Sequence, residues 1–548
     1  MVRIIFSFIE DIILLNGSRL RLQAIHAWGT SGVEGNAQEA EVILLRMIEM
    51  SSTTEAVDGV HIGNNLYTYI RPDVISFNSI IDAWSKSGES FAASRAEEVF
   101  SLMKADESGV QPDNITYNSL ISAWSKIKSA KSPERVMSLL NEMEVLDEAG
   151  HDNVRPNTIT YNAILSALAK AKRKDSGKQA EALLSRMEEL SQSDDKVVVP
   201  DTLSYSATIN AWAKSGEIGG ALRAEDILRR MQELHENGNM NVKPNTICFN
   251  SVINAWAYSK LKGNAEKAEE LLNLMITLHS SGSPDIVPDK VSFHQVMLAH
   301  ARSGSPSASQ KVRELLNQME ENYARGNTSA KPDAYSYGTL ISTLLRSRQY
   351  DAARKAQHVL DHMEKMYNAG DNEMKPDRIA YNSTLRMWAK STERKAYSKA
   401  DELVARMEEL SKTDQRSGLK PDTLTYSTLI DIWAKSRRDD AGIQAESILD
   451  KIEILHGDGA KKVVPATHAY NAAINAWASI NTVKKENAQR AHALLKRMEQ
   501  LSESGVTGVQ PDVVSYNSVI KGNVCICFMV NAYLFFISYA SDPSHLPR

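Results

Sequence analysis

The feature that most constrains this 548-residue chain is a proline that recurs every 40 to 46 residues, nearly always followed by Asp or Asn. The recurring prolines are Pro72, Pro112, Pro156, Pro200, Pro244, Pro288, Pro332, Pro376, Pro421, Pro465 and Pro511. Ten repeats of about 44 residues therefore fill 74–512, and we number positions in each repeat from the residue after its proline pair. A fixed period of this length predicts stacked copies of one supersecondary unit, not several unrelated globular domains.

Each repeat contains two segments with helical periodicity. In repeat 4 the first segment carries Tyr205, Thr208, Ile209 and Trp212, which are spaced i, i+3, i+4 and i+7. The second segment has the same spacing, as repeat 3 shows with Ala180, Leu183, Leu184 and Met187. One helical pair cannot bury both apolar stripes alone, whereas stacked pairs can. The pattern predicts an all-α fold, an α-solenoid of stacked helix-turn-helix repeats that forms a superhelix with a concave groove.

All eight tryptophans occupy position 11 of the repeat or of a degenerate copy before it. They are Trp28, Trp84, Trp124, Trp212, Trp256, Trp388, Trp433 and Trp477, and the remaining copies have Leu168, His300 and Leu344 there. Because position 11 continues the apolar stripe, we interpret these tryptophans as core residues and not as a surface for stacking bases.

The repeat resembles that of the pentatricopeptide repeat family, in a P-type-like form with extended repeats. In repeat 1 the matching residues are Val74-Ile75-Ser76-Phe77-Asn78, Ile80-Ile81, Lys86, Ala96, Met103 and Pro112-Asp113. The resemblance covers residues 18–521, although the family unit has about 35 residues. The alignment puts three of the extra residues in the turn between the helices and about six before the proline. Tetratricopeptide repeats are disfavoured because Leu-Gly-x-x-Tyr does not follow the tryptophan.

The other face of the first helix carries polar and basic residues. At about 100° per residue, positions 2, 5, 9 and 13 lie opposite core positions 4, 7, 8 and 11, so we expect them to be exposed. The family resemblance implies that first helices line the groove, which would place these residues in it. Position 2 is usually aliphatic, with Ile75, Ile115, Ile159, Leu203, Ile247, Val291, Ile379 and Leu424. Position 5 is mostly an amide or small polar residue: Asn78, Asn118, Asn162, Ser206, Asn250, His294, Gly338, Asn382, Ser427 and Asn471. Position 13 is basic in eight repeats: Lys86, Lys126, Lys170, Lys214, Arg302, Arg346, Lys390 and Lys435. The last residue is Asp113, Asn157, Asp201, Asn245, Asp289, Asp333, Asp377, Asp422, Ala466 or Asp512.

The resemblance implies roles for this set in RNA recognition. Position 5 and the last residue would select one base per repeat, position 2 would flank the base, and position 13 would contact the backbone. Under the family's pairing rule, Asn with Asp favours uracil, Asn with Asn a pyrimidine and Ser with Asn adenine. A pyrimidine-rich, mostly uracil target is therefore expected.

Simpler structural explanations of the same residues remain open. The position-5 amide would then be a solvated helix residue, the last Asp an N-cap, and the basic residue a partner of the helix dipole. The extended repeats also leave open that the last side chain lies away from position 5.

Charge and composition limit the other functions. Lys and Arg number 63 against 68 Asp and Glu, a net charge of −5, so a polyanion would have to bind a local basic row. We expect the acidic excess on second helices, as at Glu188, Glu189, Glu408 and Glu409. Three cysteines exclude a disulfide scaffold. The sequence predicts no metal site, no cofactor, no catalytic residues and no small-molecule substrate, and hence no enzyme.

Two functions follow from these observations. The first is sequence-selective binding of single-stranded RNA, with a role in processing, stability or translation of RNA in a mitochondrion or plastid that only the family resemblance implies. The alternative is a scaffold whose groove binds protein partners.

The predicted organisation has five parts. Residues 1–17 are out of phase and make a poor transit peptide or membrane span, and 18–73 form a degenerate N-terminal repeat. Residues 74–512 hold the ten repeats, and 513–521 begin a truncated one. The apolar tail 522–548 fits either a short membrane helix or, as we favour, translated non-coding sequence; no confident membrane segment is predicted.

Overall fold

The structure is a computed structural model that describes twelve stretches of the chain. They are 35–53, 60–62, 65–67, 72–105, 109–127, 131–192, 197–347, 349–413, 418–460, 462–479, 485–506 and 508–521. The predictions for 1–17, 522–548 and Trp28 concern residues outside these stretches.

The predicted helical pairs are present in all ten repeats. The first helices are Val74–Ser87, Asn114–Lys126, Thr158–Ala171, Thr202–Ser215, Thr246–Tyr258, Lys290–Ser303, Ala334–Arg346, Arg378–Lys390, Thr423–Ser436 and Thr467–Ala478. The second helices are Ala92–Ala105, Ser132–Glu148, Ser176–Ser191, Gly220–Glu236, Asn264–Ser280, Ala308–Ala324, Ala352–Asn368, Ala396–Thr413, Ala441–Gly457 and Lys485–Glu503. Residues 513–521 are also helical. The all-α prediction is thus confirmed for the repeats.

The segment before repeat 1 departs locally from that prediction. Its described residues form the helix Asn36–Thr53 and a short antiparallel hairpin of Val60–Ile62 with Asn65–Tyr67. The sequence analysis did not predict this hairpin.

A side chain at the residue before the helix caps nine of the ten first helices, and only Ala466, before the tenth, makes no side-chain capping bond among these described helices. In repeat 4, Asp201 is extended and its carboxylate accepts from the Ser204 backbone N–H at 2.9 Å, while the Ser204 hydroxyl accepts from the Asp201 N–H at 3.1 Å. This reciprocal pair satisfies two backbone donors that a helix start leaves unbonded. The same helix ends at Gly216, whose left-handed φ of 68° suits a glycine C-cap.

The apolar stripes meet as predicted. In repeat 4, Tyr205, Ile209 and Trp212 are buried, together with Leu228 and Met231 of the second helix. The chain forms two compact units, 1–299 and 300–548. Within each, a first helix packs against its own second helix and against the first helix of the next repeat, which is the stacking order of an α-solenoid.

In five repeats, residues of the segment that lengthens the repeat contact the start of the first helix of the same repeat. In repeat 5 the Thr246 hydroxyl accepts from the Val287 N–H at 2.8 Å and donates to the carbonyls of Val287 and Asp285. Equivalent threonine contacts occur in other repeats, at Thr158, Thr202, Thr423 and Thr467. The added loop is therefore fixed beside position 1 and does not displace the proline pair.

Ion pairs between consecutive repeats connect the second helices. Arg186 contacts Glu144 at 2.9 Å, and Arg230 contacts Glu188 at 2.8 Å. The acidic residues of this face are thus partly neutralised by basic residues of the following repeat, although partly exposed pairs of this kind contribute little stability each.

Candidate nucleic-acid interface

Position 2 places one exposed aliphatic side chain on each of eight first helices. The exposed fraction is 61% for Ile75, 64% for Leu203 and 67% for Ile379. The others are also exposed: Ile115, Ile159, Ile247, Val291 and Leu424. Single exposed apolar residues are common, but one at the same position of eight repeats forms a periodic row that can contact flat apolar surfaces.

Position 5 contacts the last residue of the same repeat wherever the pair is Asn and Asp within one unit. The amide Nδ2 of Asn78 donates to Asp113 at 3.0 Å, and that of Asn162 donates to Asp201 at 3.1 Å. The same contact joins the remaining pairs, Asn250–Asp289, Asn382–Asp422 and Asn471–Asp512. The alternative that the added residues move the last side chain away from position 5 is therefore wrong for these repeats.

Burial of position 5 corrects one prediction. We expected these side chains to be exposed, yet Asn78, Asn382 and Ser427 are buried and the other position-5 residues are half-buried. The helical wheel placed them on the correct face, but the first helix of the next repeat packs beside them. Only part of each amide is left for a ligand.

The other pairs are arranged differently. In repeat 2, Asn118 and Asn157 are linked through the Asn114 side-chain oxygen, to which both amides donate. In repeat 4, Ser206 donates to the Leu203 carbonyl of its own helix. His294 and Asp333 belong to different units.

The last residue also has the structural role that the simpler explanation gave it. Asp113, for example, accepts from the Thr116 N–H at 2.9 Å as an N-cap while it accepts from Asn78. Capping and contact with position 5 therefore coexist, because a carboxylate has more than two acceptor sites.

All eight basic residues at position 13 are exposed. Several also donate to a carbonyl near the C-terminus of the first helix in the preceding repeat, with Lys126 at 2.7 Å from Ser85 O and Lys170 at 3.1 Å from Ser125 O. Arg346 and Lys435 make the same kind of contact. The helix-dipole interpretation thus holds across repeats. A lysine has three donors, so this contact leaves others for a phosphate.

The lysines form a row of like charges in unit 1–299. Burial lowers the pKa of Lys126, and the charges of Lys86 and Lys170 lower it further, although Asp82 acts in the opposite direction. Burial also lowers the pKa of Lys214, with contributions from Lys172 and Lys170. An anion placed along this row would relieve the repulsion.

Comparison with known families identifies the repeats. The PPR repeat family matches residues 72–126, and the pentatricopeptide repeat domain matches residues 144–215. These two stretches are pentatricopeptide repeats. RNA binding is the function of this family. The chain is also similar to the pentatricopeptide repeat protein PPR10 from maize, a crystal structure, with 18% identity, a TM-score of 0.32 and coverage of 97% of this chain and 85% of that one. Comparison with curated proteins finds no match.

The structure shows a contact in the repeats that the sequence analysis missed. Each described tryptophan of position 11 is buried or partly buried, as predicted, and its indole N–H also donates to a side chain on the second helix of the preceding repeat. The acceptors are Glu41, Glu97, Glu181, Glu225, Gln357, Asp401 and Glu446.

A sequence signal for this contact was present. The acceptor directly follows the buried small residue that begins the second-helix stripe, as Glu181 follows Ala180. Where position 11 is Leu168 or Leu344, the corresponding residues are Met137 and Arg313. Repeats with tryptophan at position 11 thus follow a repeat that has a hydrogen-bond acceptor at this second-helix position, and the two repeats with leucine follow one that has none.

Two further searches cover the described part of the chain. Within it, no three His, Cys, Asp or Glu side chains are grouped as a metal site would require. None of the helices in those same stretches has both the length and the apolar character needed to cross a membrane.

Proposed function

We propose that the chain binds single-stranded RNA selectively by sequence and acts on RNA processing, stability or translation in a mitochondrion or plastid. The match of 72–126 and 144–215 to repeats of an RNA-binding family supports the ligand class. The organelle rests on the family resemblance alone. In this proposal each repeat contacts one base through position 5 and its last residue.

The observation that carries the proposal is the direct contact between position 5 and the last residue. Asn162 and Asp201 place an amide N–H and carboxylate oxygens within 3.2 Å of each other on the first-helix face. A donor beside an acceptor is the complement of uracil, whose carbonyl oxygens flank an N–H. An amide nitrogen and two carboxylate oxygens are present in every repeat that has the Asn–Asp pair. A run of uracils is therefore the ligand that matches these repeats best.

The residues at positions 2 and 13 support the proposal because they can contact the other parts of a nucleotide, its base face and its phosphate. The exposed aliphatic side chain can lie against a base face, and the exposed basic residue can contact one phosphate per repeat. The periodic basic row also explains how a chain of net charge −5 could bind a polyanion.

The pairs specify a target. From the RNA 5′ end, the pairing rule gives U, a pyrimidine, U, A and U for repeats 1 to 5, and U for repeats 8 and 10. The rule as stated does not cover the Gly338–Asp377 pair of repeat 7, for which G is a candidate base. Repeats 6 and 9, with His294–Asp333 and Ser427–Ala466, are left unassigned.

Selection from a random RNA pool by the purified full chain tests this proposal. We expect the enriched sequences to contain U-Y-U-A-U and to be rich in uracil, and RNA crosslinked in cells should come from an organelle. Enrichment without a shared sequence would contradict selectivity. The protein-scaffold alternative would be favoured if the chain retained no RNA and instead bound a defined peptide through the position-2 row.

A further inference from the structure

Every asparagine at position 5 accepts a hydrogen bond from a hydroxyl at position 3 of the following repeat. Thr116 Oγ1 lies 2.6 Å from Asn78 Oδ1, and Ser204 Oγ lies 2.7 Å from Asn162 Oδ1. The same bond joins Thr160 to Asn118, Ser292 to Asn250, Thr425 to Asn382 and Ser515 to Asn471, at 2.6 to 2.8 Å. Each position-5 amide therefore has a partner that its own repeat does not supply.

The two positions vary together along the chain. All six asparagines at position 5 are followed by Ser or Thr at position 3 of the next repeat. The non-asparagine residues Ser206, His294, Gly338 and Ser427 are followed by Cys248, Ser336, Ala380 and Ala469, so three of these four lack a hydroxyl. Capping alone does not require this association, because an Asp N-cap also accepts from the backbone N–H of Ala380 at 2.8 Å.

Repeat 9 shows what happens without the partner. Ser427 is buried, the last residue is Ala466 and the following position 3 is Ala469. In the described part of the chain the Ser427 hydroxyl has no hydrogen-bond partner. A polar group at position 5 is therefore held by the neighbouring repeat only where a hydroxyl is present.

The hydroxyl fixes which side of the amide faces the ligand. Its nearest acceptor is Oδ1 of the position-5 amide, and the capping residue's oxygen lies farther away. Nδ2 gives one hydrogen to the last residue in the Asn–Asp repeats and to Asn114 in repeat 2, so the second N–H of the amide has a defined direction. If the amide rotated by half a turn, its oxygen would point at the carboxylate and its NH₂ group at the hydroxyl. The orientation with N–H available suits a carbonyl acceptor such as those of uracil and cytosine.

We infer that position 3 of the following repeat is a third specificity-determining residue, which orients the position-5 amide toward the base. This inference rests on the RNA-binding function proposed above. The base preference of a repeat would then depend on three residues, of which one belongs to the next repeat.

Repeats 2 and 3 should depend on this hydroxyl to different extents. In repeat 3 the Asp201 carboxylate also accepts from Asn162 and repels a rotated amide oxygen. In repeat 2 the last residue is the neutral Asn157, which does not bond Asn118 directly among the contacts of the described chain. The Thr160 hydroxyl should therefore affect amide orientation in repeat 2 more than the Ser204 hydroxyl does in repeat 3.

The test is Thr160→Val in the full chain, with affinities measured for RNAs that differ only at the second base. We expect discrimination of pyrimidines from purines there to fall about 3- to 10-fold, which corresponds to one hydrogen bond. Preferences at the other bases should be unchanged. Thr160→Ser should retain the discrimination, and Ser204→Ala should reduce that of the third base by less.

Controls separate orientation from a structural effect. Thr160→Val also removes a capping bond to the Asn157 N–H, so a general loss of affinity is not the readout. Thr384→Val removes a buried hydroxyl that donates to the Ala380 carbonyl of its own helix, and it should change no base preference. If Thr160→Val weakens all RNAs equally and leaves discrimination intact, the inference is wrong while selective RNA binding stands. A wild-type chain with no base preference would contradict both.

Repeat 9 offers the converse experiment. Ser427→Asn with Ala466→Asp installs the pair alone, and adding Ala469→Thr installs the full three-residue set. We expect the third substitution to raise the preference for uracil at the ninth base a further 3- to 10-fold or so. Equal preferences with and without Ala469→Thr would overturn the inference.

Discussion

At the scale of the residue, close packing around the position-11 tryptophans sets the tolerance to substitution. A Cβ atom on Gly177 would lie 2.4 Å from Trp212 Cε3, whereas one on Gly338 would meet no atom within 4 Å. We predict that Gly177→Ala destabilises the chain by about 1–3 kcal/mol through overpacking. Gly338→Ala should stabilise it by roughly 0.5–1 kcal/mol, since it removes a glycine from a helix interior. Thermal unfolding of both variants measures these changes in stability. Equal changes would contradict the prediction and would show that Trp212 moves aside at little energetic cost.

A second residue-scale prediction concerns Cys248, which is buried at position 3 of repeat 5. Burial raises the pKa of its thiol to about 11. The reactive thiolate is therefore depleted at pH 8, roughly 100-fold relative to an ordinary cysteine. We expect iodoacetamide to label the Cys248 peptide slowly in the native chain and rapidly in urea, as measured by mass spectrometry. Rapid native labelling would contradict the burial.

At the scale of the element, the loop that lengthens the repeat is held by the position-1 threonine in the five repeats that have one. Thr246→Val removes the hydroxyl hydrogen that the Val287 and Asp285 carbonyls share, and it leaves the Val287 N–H without its acceptor. We predict faster hydrogen exchange at Val287 and its neighbours, because the unsatisfied N–H lowers the free energy of opening the loop by about 1–3 kcal/mol. Thr246→Ser should behave as wild type. Unchanged exchange in Thr246→Val would mean that other contacts hold the loop.

The sequence predicted the helices well because their signals are periodic and local. The Pro-Asp pairs locate the first-helix starts, and the apolar spacing identified core residues such as Ile209 and Trp212. It did not predict the bond from Trp212 to Glu181 or that from Ser204 to Asn162. Both join consecutive repeats, so they depend on how two units pack and not on the pattern within one. The helical wheel also overstated the exposure of position 5, because it considers one helix alone and not the first helix of the next repeat that packs beside it.

At the scale of the whole molecule, the basic row predicts the salt dependence of RNA binding. Eight exposed basic residues allow up to eight phosphate contacts, and the logarithm of the affinity should fall with the logarithm of the salt concentration by about 0.7 per contact. Replacing Lys86, Lys126, Lys170 and Lys214 by Ala should reduce that slope by about 3 and weaken all sequences alike. A slope equal to that of the wild type would remove the backbone role of position 13.

The central claim is that position 5 and the last residue of one repeat select one base, and exchanging one pair tests it most directly. Asn162→Ser with Asp201→Asn gives repeat 3 the pair that repeat 4 has naturally in Ser206 and Asn245, and Asn keeps the N-cap. Affinities for RNAs that differ only at the third base should shift from a preference for U to one for A by about 1–2 kcal/mol, the worth of one or two hydrogen bonds. The preferences at the neighbouring bases should be retained. If the third-base preference does not change while binding persists, these extended repeats do not select one base each through this pair.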